Sequence, residues 1–329
     1  MNLENKNLHN IIKNNLKLIG ACLLVIASIF LIGLPYLVSL YVVYIFTLII
    51  IYGILAASYD ILLGYTGQLS FAHGASFGLG AYVSALLTLE AGLSFWVTFP
   101  LVFFITMAVA AIIGAPTLRL KGSYFAVTTF FLAHLVYLIF LNTEKYTGGS
   151  LGLRGIQPPE GFLSFDFSNK ITSYYFALIF GAILIILIYQ LVNKSEIGKR
   201  FVAIREDEDL AESLGVNTSL YKTLSFSLSS AIAGLCGSFF AHWFLLLHPS
   251  QFSWFTSEMI VIMTIVGGLG TLFGPILGAA VITGLLELMR FAPELRFIFW
   301  AVILIAILIV EPKGIMGILK RIIPSNKLL

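Results

Sequence analysis

The polar side chains best placed to do chemistry lie in one Gly-rich stretch of an otherwise apolar chain, residues 64–80. This stretch contains five glycines in 17 residues. A bilayer tolerates polar groups only where protein or water covers them, and glycines let a second helix approach closely. The stretch therefore predicts a tightly packed helix, a wall of a translocation path, or both. The candidate path residues are Gln68, Ser70, His73, Gly74 and Gly78.

The other reactive residue types do not combine into an enzyme-like or metal-binding pattern. No His-x-x-x-His or Glu-x-x-His spacing occurs, so no metal site is predicted. His134 and His242 lie on apolar segments and are expected to be hydrogen-bonded core residues. Cys22 and Cys236 also lie in apolar runs, where a free cysteine behaves as a small buried hydrophobe. A membrane-embedded enzyme therefore ranks low, because no acid–base set converges on one depth.

The composition is that of an integral membrane protein. Hydrophobic residues make up 59% of the chain and charged residues only 11%, with a mean hydropathy of +0.99. A soluble domain would carry about 25% charged residues. The net charge of +3 is small and scattered, which argues against nucleic acid as a partner. We expect membrane lipid around a single all-α transmembrane domain over residues 1–329.

Apolar runs near 20 residues predict a polytopic bundle of about ten spans. With both termini in the cytoplasm, 14 of the 19 basic residues lie inside, as the positive-inside rule requires. Residues 68–89 should cross with an unwound start, whereas 257–269 is short and expected to be broken or tilted. Glu258 and Glu287 should lie near span ends and reach water. The predicted spans are 18–38, 41–63, 68–89, 95–118, 123–142, 172–192, 223–246, 257–269, 273–290 and 296–311.

Two loops are long enough to have a function of their own. The outer loop, 143–171, is rich in glycine and proline, which favours a fixed turn-rich lid. The inner loop, 193–222, is rich in charge, yet Ile197, Phe201 and Ile204 form one apolar helical face. A capping box of Asp209 and Glu212 predicts a second short helix ending at Gly215. The apolar face favours docking to a partner, although a charge-rich loop can equally be a solvated connector.

Four separated blocks together resemble a known family. They are residues 64–82, 147–156, 198–215 and 266–280, in the same order and with similar spacing. The chain resembles the LivM-type permease subunit of branched-chain amino acid ABC importers. The resemblance implies a second, LivH-like permease, two cytoplasmic ATPases and an extracytoplasmic solute-binding protein. It also implies a location in the bacterial plasma (inner) membrane.

The resemblance also assigns roles to residues of the two loops. The third block would be the element that docks in a groove of the ATPase, and the outer block would contact the binding protein. The outer candidates are Thr147, Gly148, Gly149 and Gly152. The coupling candidates, which include the apolar face and the acidic bend, are Gly198, Phe201, Ala203, Ile204, Arg205, Glu206, Asp207, Ala211 and Gly215.

The expected function is therefore a transport subunit for branched-chain or other hydrophobic amino acids, and not an enzyme. The chain has no Gly-x-x-x-x-Gly-Lys-[Ser/Thr] loop to cradle phosphates, so ATP and magnesium would act on the partner ATPases. We expect no cofactor on this chain, which would form half of the translocation path. Two alternatives stay open: a similar permease for urea, short amides or sugars, and a self-sufficient channel or secondary transporter.

Overall fold

The computed structural model describes residues 29–120, 122–161, 166–291, 298, 301–302, 305, 309, 311 and 313–322. These ranges are helices joined by turns, and their one isolated β-bridge pairs Leu153 with Leu247. The prediction of an all-α fold is therefore confirmed. Residues 29–37 are helical and precede the first labelled helix.

Eleven labelled helices organise the described part of the chain. Five are long and apolar enough to cross a membrane: α1, α3, α4, α5 and α8. The protein is therefore a multi-pass membrane protein, as its composition predicts. The helices are α1 (Leu40–Leu63), α2 (His73–Leu89), α3 (Phe95–Thr117), α4 (Ser123–Asn142), α5 (Lys170–Tyr189), α6 (Glu196–Glu206), α7 (Glu208–Ser213), α8 (Thr218–Phe244), α9 (Trp254–Gly267), α10 (Gly274–Leu288) and α11 (Gly314–Ile322).

Most predicted spans coincide with helices, with differences at their ends. The helix α2 begins at His73. Residues 64–72 before it form turns and extended chain, which confirms the unwound start predicted for 68–89. The helix α9 has 14 residues and is about 21 Å long, which is less than the ~30 Å hydrocarbon core. The first part of the predicted span 18–38 and most of 296–311 lie outside the described residues.

The helix α8 is the centre of the bundle, and nearly all of its residues beyond the first two turns are buried. The helix α2 packs on it at glycines: a Cβ on Gly80 would lie 2.1 Å from the carbonyl oxygen of Gly234. The helix α3 also packs closely on α8, because a Cβ on Gly234 would lie 2.5 Å from the Thr106 side chain. Small residues thus let α2 and α8 meet backbone to backbone, and they let the Thr106 side chain of α3 lie directly on the backbone of α8.

Candidate coupling site and translocation path

Arg205, in the last turn of α6, connects the inner loop to two Gly-rich turns. One is residues 64–72, which follow α1, and the other is residues 268–273, between α9 and α10. Its Nη1 donates a hydrogen bond to the carbonyl oxygen of Gly64, at the end of α1, over 2.6 Å. A Cβ on Gly67 would lie 3.1 Å from Arg205 Cγ, and one on Gly270 would lie 3.0 Å from Nη1. We call this contact of Arg205 with Gly64, Gly67 and Gly270 the Arg205 junction.

The two Gly-rich turns also contact each other beneath the Arg205 junction. The Oδ1 of Asp60, a buried residue of α1, accepts a hydrogen bond from Gly270 N over 3.0 Å. A Cβ on Gly64 would lie 2.5 Å from that same nitrogen, so only glycine fits there. The end of α1 and the turn between α9 and α10 are therefore in direct backbone contact.

The two short helices of the inner loop are confirmed, but the predicted capping box is wrong. Asp207 caps α7, accepting a hydrogen bond from Leu210 N over 2.9 Å, and Asp209 lies inside the first turn. The helix ends as predicted near Gly215, whose φ of +87° favours glycine. Val216 N then donates to Ala211 O over 3.1 Å, which satisfies a terminal carbonyl.

The apolar face of the inner loop packs on this protein's own helices. Phe201 and Ile204 are 0% and 3% exposed, and Gly198 and Ala211 are buried too. The ring of Phe201 meets that of Tyr221 in α8, with centroids 6.4 Å apart. The interpretation of this face as a partner surface is therefore wrong, because the bundle itself covers it.

A docking surface on the inner loop would have to use the outward side. The candidates on that side are exposed: Ala203, Arg205, Glu206, Asp207 and Gly215. Three further residues are both exposed and apolar: Leu220 in the first turn of α8, and the pair of Leu210 at 57% and Leu214 at 76% in and just after α7. Sequence reasoning missed this pair, although its i, i+4 spacing marks one side of a helix.

One ion pair completes the attachment of the inner loop to the bundle, and a second lies within α6. The ammonium group of Lys222 in α8 lies 2.6 Å from the carboxylate of Glu208, and the lysine side chain is only 5% exposed. On the surface of α6, Lys199 donates to Glu196 over 2.7 Å. This hydrogen bond, together with the lysine charge, lowers the pKa of the exposed Glu196 carboxyl. The first pair is structural, whereas the second is solvated and contributes little.

His73, a candidate path residue, joins three helices. Its Nε2 lies 2.9 Å from the Ser58 hydroxyl in α1, and its Nδ1 lies 3.5 Å from the Ser229 hydroxyl in α8. The histidine is buried. Ser70, also buried, has its backbone N and O bonded to the Tyr59 hydroxyl, over 3.1 and 2.9 Å. These are contacts of helix packing, and a path role for either residue stays a prediction.

The remaining path candidates bring α2 close to the segment around α9. Gly74 N donates to the Ser257 hydroxyl over 2.9 Å. A Cβ on Gly78 would lie 2.6 Å from that of Phe252, so this position is closed by an aromatic side chain. Gln68 lies in the turn before α2 and is half-buried. Of the five candidates, Gln68 alone has partial access to the surface of this chain.

The first part of the outer loop, residues 143–161, is held by backbone contacts, as its glycines and prolines predict. The hydroxyl of buried Thr147 donates to Phe140 O over 2.5 Å and accepts from Gly149 N over 3.2 Å. Gly148 has a φ of +73°, and a Cβ on Gly152 would lie 2.7 Å from Leu247 O. Beside these residues is a cavity of about 450 Å³, lined by Glu144, Gly148, Ser150, Leu151, Gly152 and Arg154.

His242 is a hydrogen-bonded core residue, as predicted. Its Nδ1 lies 2.7 Å from Gln157 O in the outer loop, and its Nε2 lies 3.1 Å from the Ser84 hydroxyl. His134 is half-buried beside the ring of Tyr137. Within the described ranges, no three His, Cys, Asp or Glu side chains come together as metal ligands.

Comparison with known proteins places this architecture among transport permeases. The family described as "Branched-chain amino acid transport system / permease component" matches residues 41–310. The chain is 29% identical to the high-affinity branched-chain amino acid transport system permease protein LivM of Salmonella typhimurium, over 91% of this chain and 75% of that protein. The LivM protein of Escherichia coli K12 gives the same values.

The chain is also similar to permeases of the LivH type. It is 25% identical to LivH of Salmonella typhimurium, over 81% of this chain and 91% of that protein. No solved structure matches the chain significantly. The match to the family covers most of the chain, including both Gly-rich turns and the inner loop.

Proposed function

The chain belongs to the family of branched-chain amino acid transport permeases, and we propose that it is one permease subunit of an ATP-driven importer. Its cargo is a branched-chain or related hydrophobic amino acid. The subunit pairs with a LivH-like permease and receives substrate from an extracytoplasmic binding protein. Two cytoplasmic ATPases dock on the inner loop, and the assembly lies in a bacterial inner membrane.

The single observation that carries ATP coupling is the Arg205 junction. Its side chain joins α6 to Gly64 and Gly270, the turns at the inner ends of α1 and α9. A displacement of the inner loop would therefore move the ends of three helices together. Alternating access in transporters depends on such movement of helix groups around a fixed path.

The partner would contact the outward side of the inner loop. Leu210 and Leu214 form an exposed apolar tip on α7, and exposed charges of α6 flank it. An apolar centre with a polar rim is the usual anatomy of a protein interface. The buried face, with Phe201 and Ile204, instead transmits force to α8.

Charge reversal at Arg205 tests this coupling. The Arg205→Glu substitution replaces a donor by a carboxylate that faces the Gly64 carbonyl oxygen. We expect uptake of branched-chain amino acids to fall by about tenfold or more, which corresponds to at least about 1.4 kcal/mol, with normal insertion. The measurement is uptake of labelled leucine by cells that express the complete transporter.

Arg290→Glu is the matched control, because it makes the same charge change at an exposed side chain in the short turn just after α10. We expect this variant to keep most of its uptake, since exposed ion pairs are weak. Full uptake by the Arg205→Glu variant would contradict the coupling role.

Uptake that persists without ATPases would favour a self-sufficient transporter. A binding protein that retains urea, a short amide or a sugar would identify another cargo.

A further inference from the structure

Glu258 is an ionisable side chain on the outward side of α9. Trp254, one turn earlier, is exposed, and Glu258 is half-buried, whereas Ser257 and Ile260 are buried in the bundle. Within the described part of the chain, no hydrogen bond or ion pair engages the Glu258 carboxylate. Among the described residues the Glu258 carboxylate therefore has no counter-charge, and its side chain is only half-buried.

Packing places Glu258 at the depth of the transmembrane helices and not at a span end. The ring of Trp254 packs against Phe130, an interior residue of α4, with centroids 5.6 Å apart. Farther along α9, the Thr264 hydroxyl lies 3.3 Å from the carbonyl oxygen of Ala56, an interior residue of α1. Glu258 lies between these two contacts. This place beside interior turns of α4 and α1 differs from the predicted place near a span end.

A carboxylate at such a depth constrains what lies against this face. Ionisable residues within membrane helices face a bundle interior or a water-filled cavity, and hydrocarbon around a charge is strongly unfavourable. The face of α9 that carries Glu258 is outside this subunit's own core. In the assembled transporter this face must therefore border water or a second subunit.

Aromatic side chains continue from Trp254, one turn before Glu258, onto two neighbouring elements. Phe130 contacts both Trp254 and Phe71, with a centroid distance of 6.2 Å for the second pair. Phe71 belongs to the turn before α2, and its backbone nitrogen donates to the Thr129 hydroxyl in α4 over 3.0 Å. Three elements thus contribute a row of rings that begins at Trp254, one turn before Glu258.

We propose that Glu258 and the aromatic row of Phe71, Phe130 and Trp254 line the substrate passage at the boundary with the second permease. The carboxylate receives the ammonium group of a passing amino acid, and the rings contact its apolar side chain. An anionic group beside aromatic faces suits a cation with an apolar tail. The proposal rests on the proposed function for the class of substrate.

Thiol labelling tests whether Glu258 borders water. In the complete complex with Cys22 and Cys236 replaced by alanine, Glu258→Cys is exposed to a charged thiol reagent. The control is Ile183→Cys, at a residue 51% exposed on the apolar surface of α5. We expect the charged reagent to modify Glu258→Cys and to leave Ile183→Cys unmodified.

Two labelling outcomes would overturn the proposal. Modification of Glu258→Cys only by a lipid-soluble maleimide would place the residue against lipid. Modification by neither reagent would place it in a closed protein contact. Both outcomes remain informative when the cysteine variant no longer transports, because labelling requires only the assembled complex.

Transport by the isosteric variant tests the role of the charge. In proteoliposomes with the complete complex and binding protein, Glu258→Gln should lower leucine import about tenfold or more, while binding-protein-stimulated ATP hydrolysis persists. Glu258→Asp should restore part of the import, and Glu287→Gln, at the end of α10, should import normally. Import by Glu258→Gln at the wild-type rate would overturn the proposal. If the wild-type complex itself imports no branched-chain amino acid, the proposed function fails instead.

Discussion

Arg205 uses its guanidinium in a way that a lysine could not. Its Nη1 donates to Gly64, while Nε and Nη2 both donate to one carboxylate oxygen of Glu206, over 3.2 and 2.5 Å. A planar group with five donors can serve two acceptors in fixed directions, whereas an ammonium is a point charge. The contact with Gly64 bridges 141 positions of the chain. Its geometry makes Arg205 the residue that fixes the inner loop to the membrane domain.

The pair of Lys222 and Glu208 should show an asymmetric response to substitution. The lysine side chain is 5% exposed and the glutamate 26%, so only the glutamate can recover hydration when its partner is lost. We expect Glu208→Gln to destabilise the protein by about 1–3 kcal/mol, because it leaves a buried ammonium without its counter-charge. We expect Lys222→Met to cost less.

Thermal unfolding of the purified variants in detergent measures this difference. The double variant Glu208→Gln/Lys222→Met should be more stable than Glu208→Gln alone, because it removes the unpaired charge. Equal melting temperatures for the two single variants would contradict the asymmetry.

At the scale of residues, side-chain types indicate which residues could line a path, but not which residues they contact. The polar residues of the Gly-rich stretch were identified from their types alone. The partners of His73 could not be predicted, because Ser58 and Ser229 lie 15 and 156 positions away. The neighbours of Glu258 could not be predicted either, because the start of α9 depends on packing against α4 and α2.

Among the helices, local signals predicted α6 and α7 well. The apolar spacing of α6 and the glycine after α7 are short-range features that predict two helices with an acidic bend, although the cap of α7 is Asp207 and not the predicted Asp209. The covering of Phe201 and Ile204 was not predictable, because α8 supplies it and its position depends on the whole bundle. An amphipathic pattern shows that one face will be buried, but it does not identify what buries it.

Close packing between α2 and α8 should make Gly80 intolerant of even one methyl group. A Cβ there would lie 2.1 Å from Gly234 O, so Gly80→Ala must push two helices apart. We expect a cost of about 1–3 kcal/mol, as for other overpacked cores. The measurement is the melting temperature in detergent.

Gly284→Ala is the matched control for this prediction. A Cβ on Gly284, in α10, would meet nothing within 4 Å. This variant should be as stable as the wild type or slightly more stable, because alanine favours a helix over glycine by about 1 kcal/mol. A Gly80→Ala variant with unchanged melting temperature would show that α2 and α8 are farther apart than described.

For the molecule as a whole, hydropathy and charge predicted the class of architecture, and packing determined what the helices do together. Apolar runs correctly indicate a multi-pass helical bundle, and the short apolar run at 257–269 correctly indicates a short α9. The meeting of α1 with the turn between α9 and α10 was beyond the sequence, since Asp60 and Gly270 are 210 positions apart. Because of that meeting, Arg205 of the inner loop contacts both the end of α1 and the turn after α9.

The most direct test of the central claim is gentle affinity purification of the protein from native membranes, followed by identification of its partners. An ATP-driven importer predicts that ATPases with a phosphate-binding loop and a second, similar permease co-purify in stable proportion. Substitution of the exposed tip by Leu214→Asp should then remove the ATPases and retain the second permease. Recovery of the protein alone, or only as a homo-oligomer in several mild detergents, would contradict the importer and favour a self-sufficient transporter.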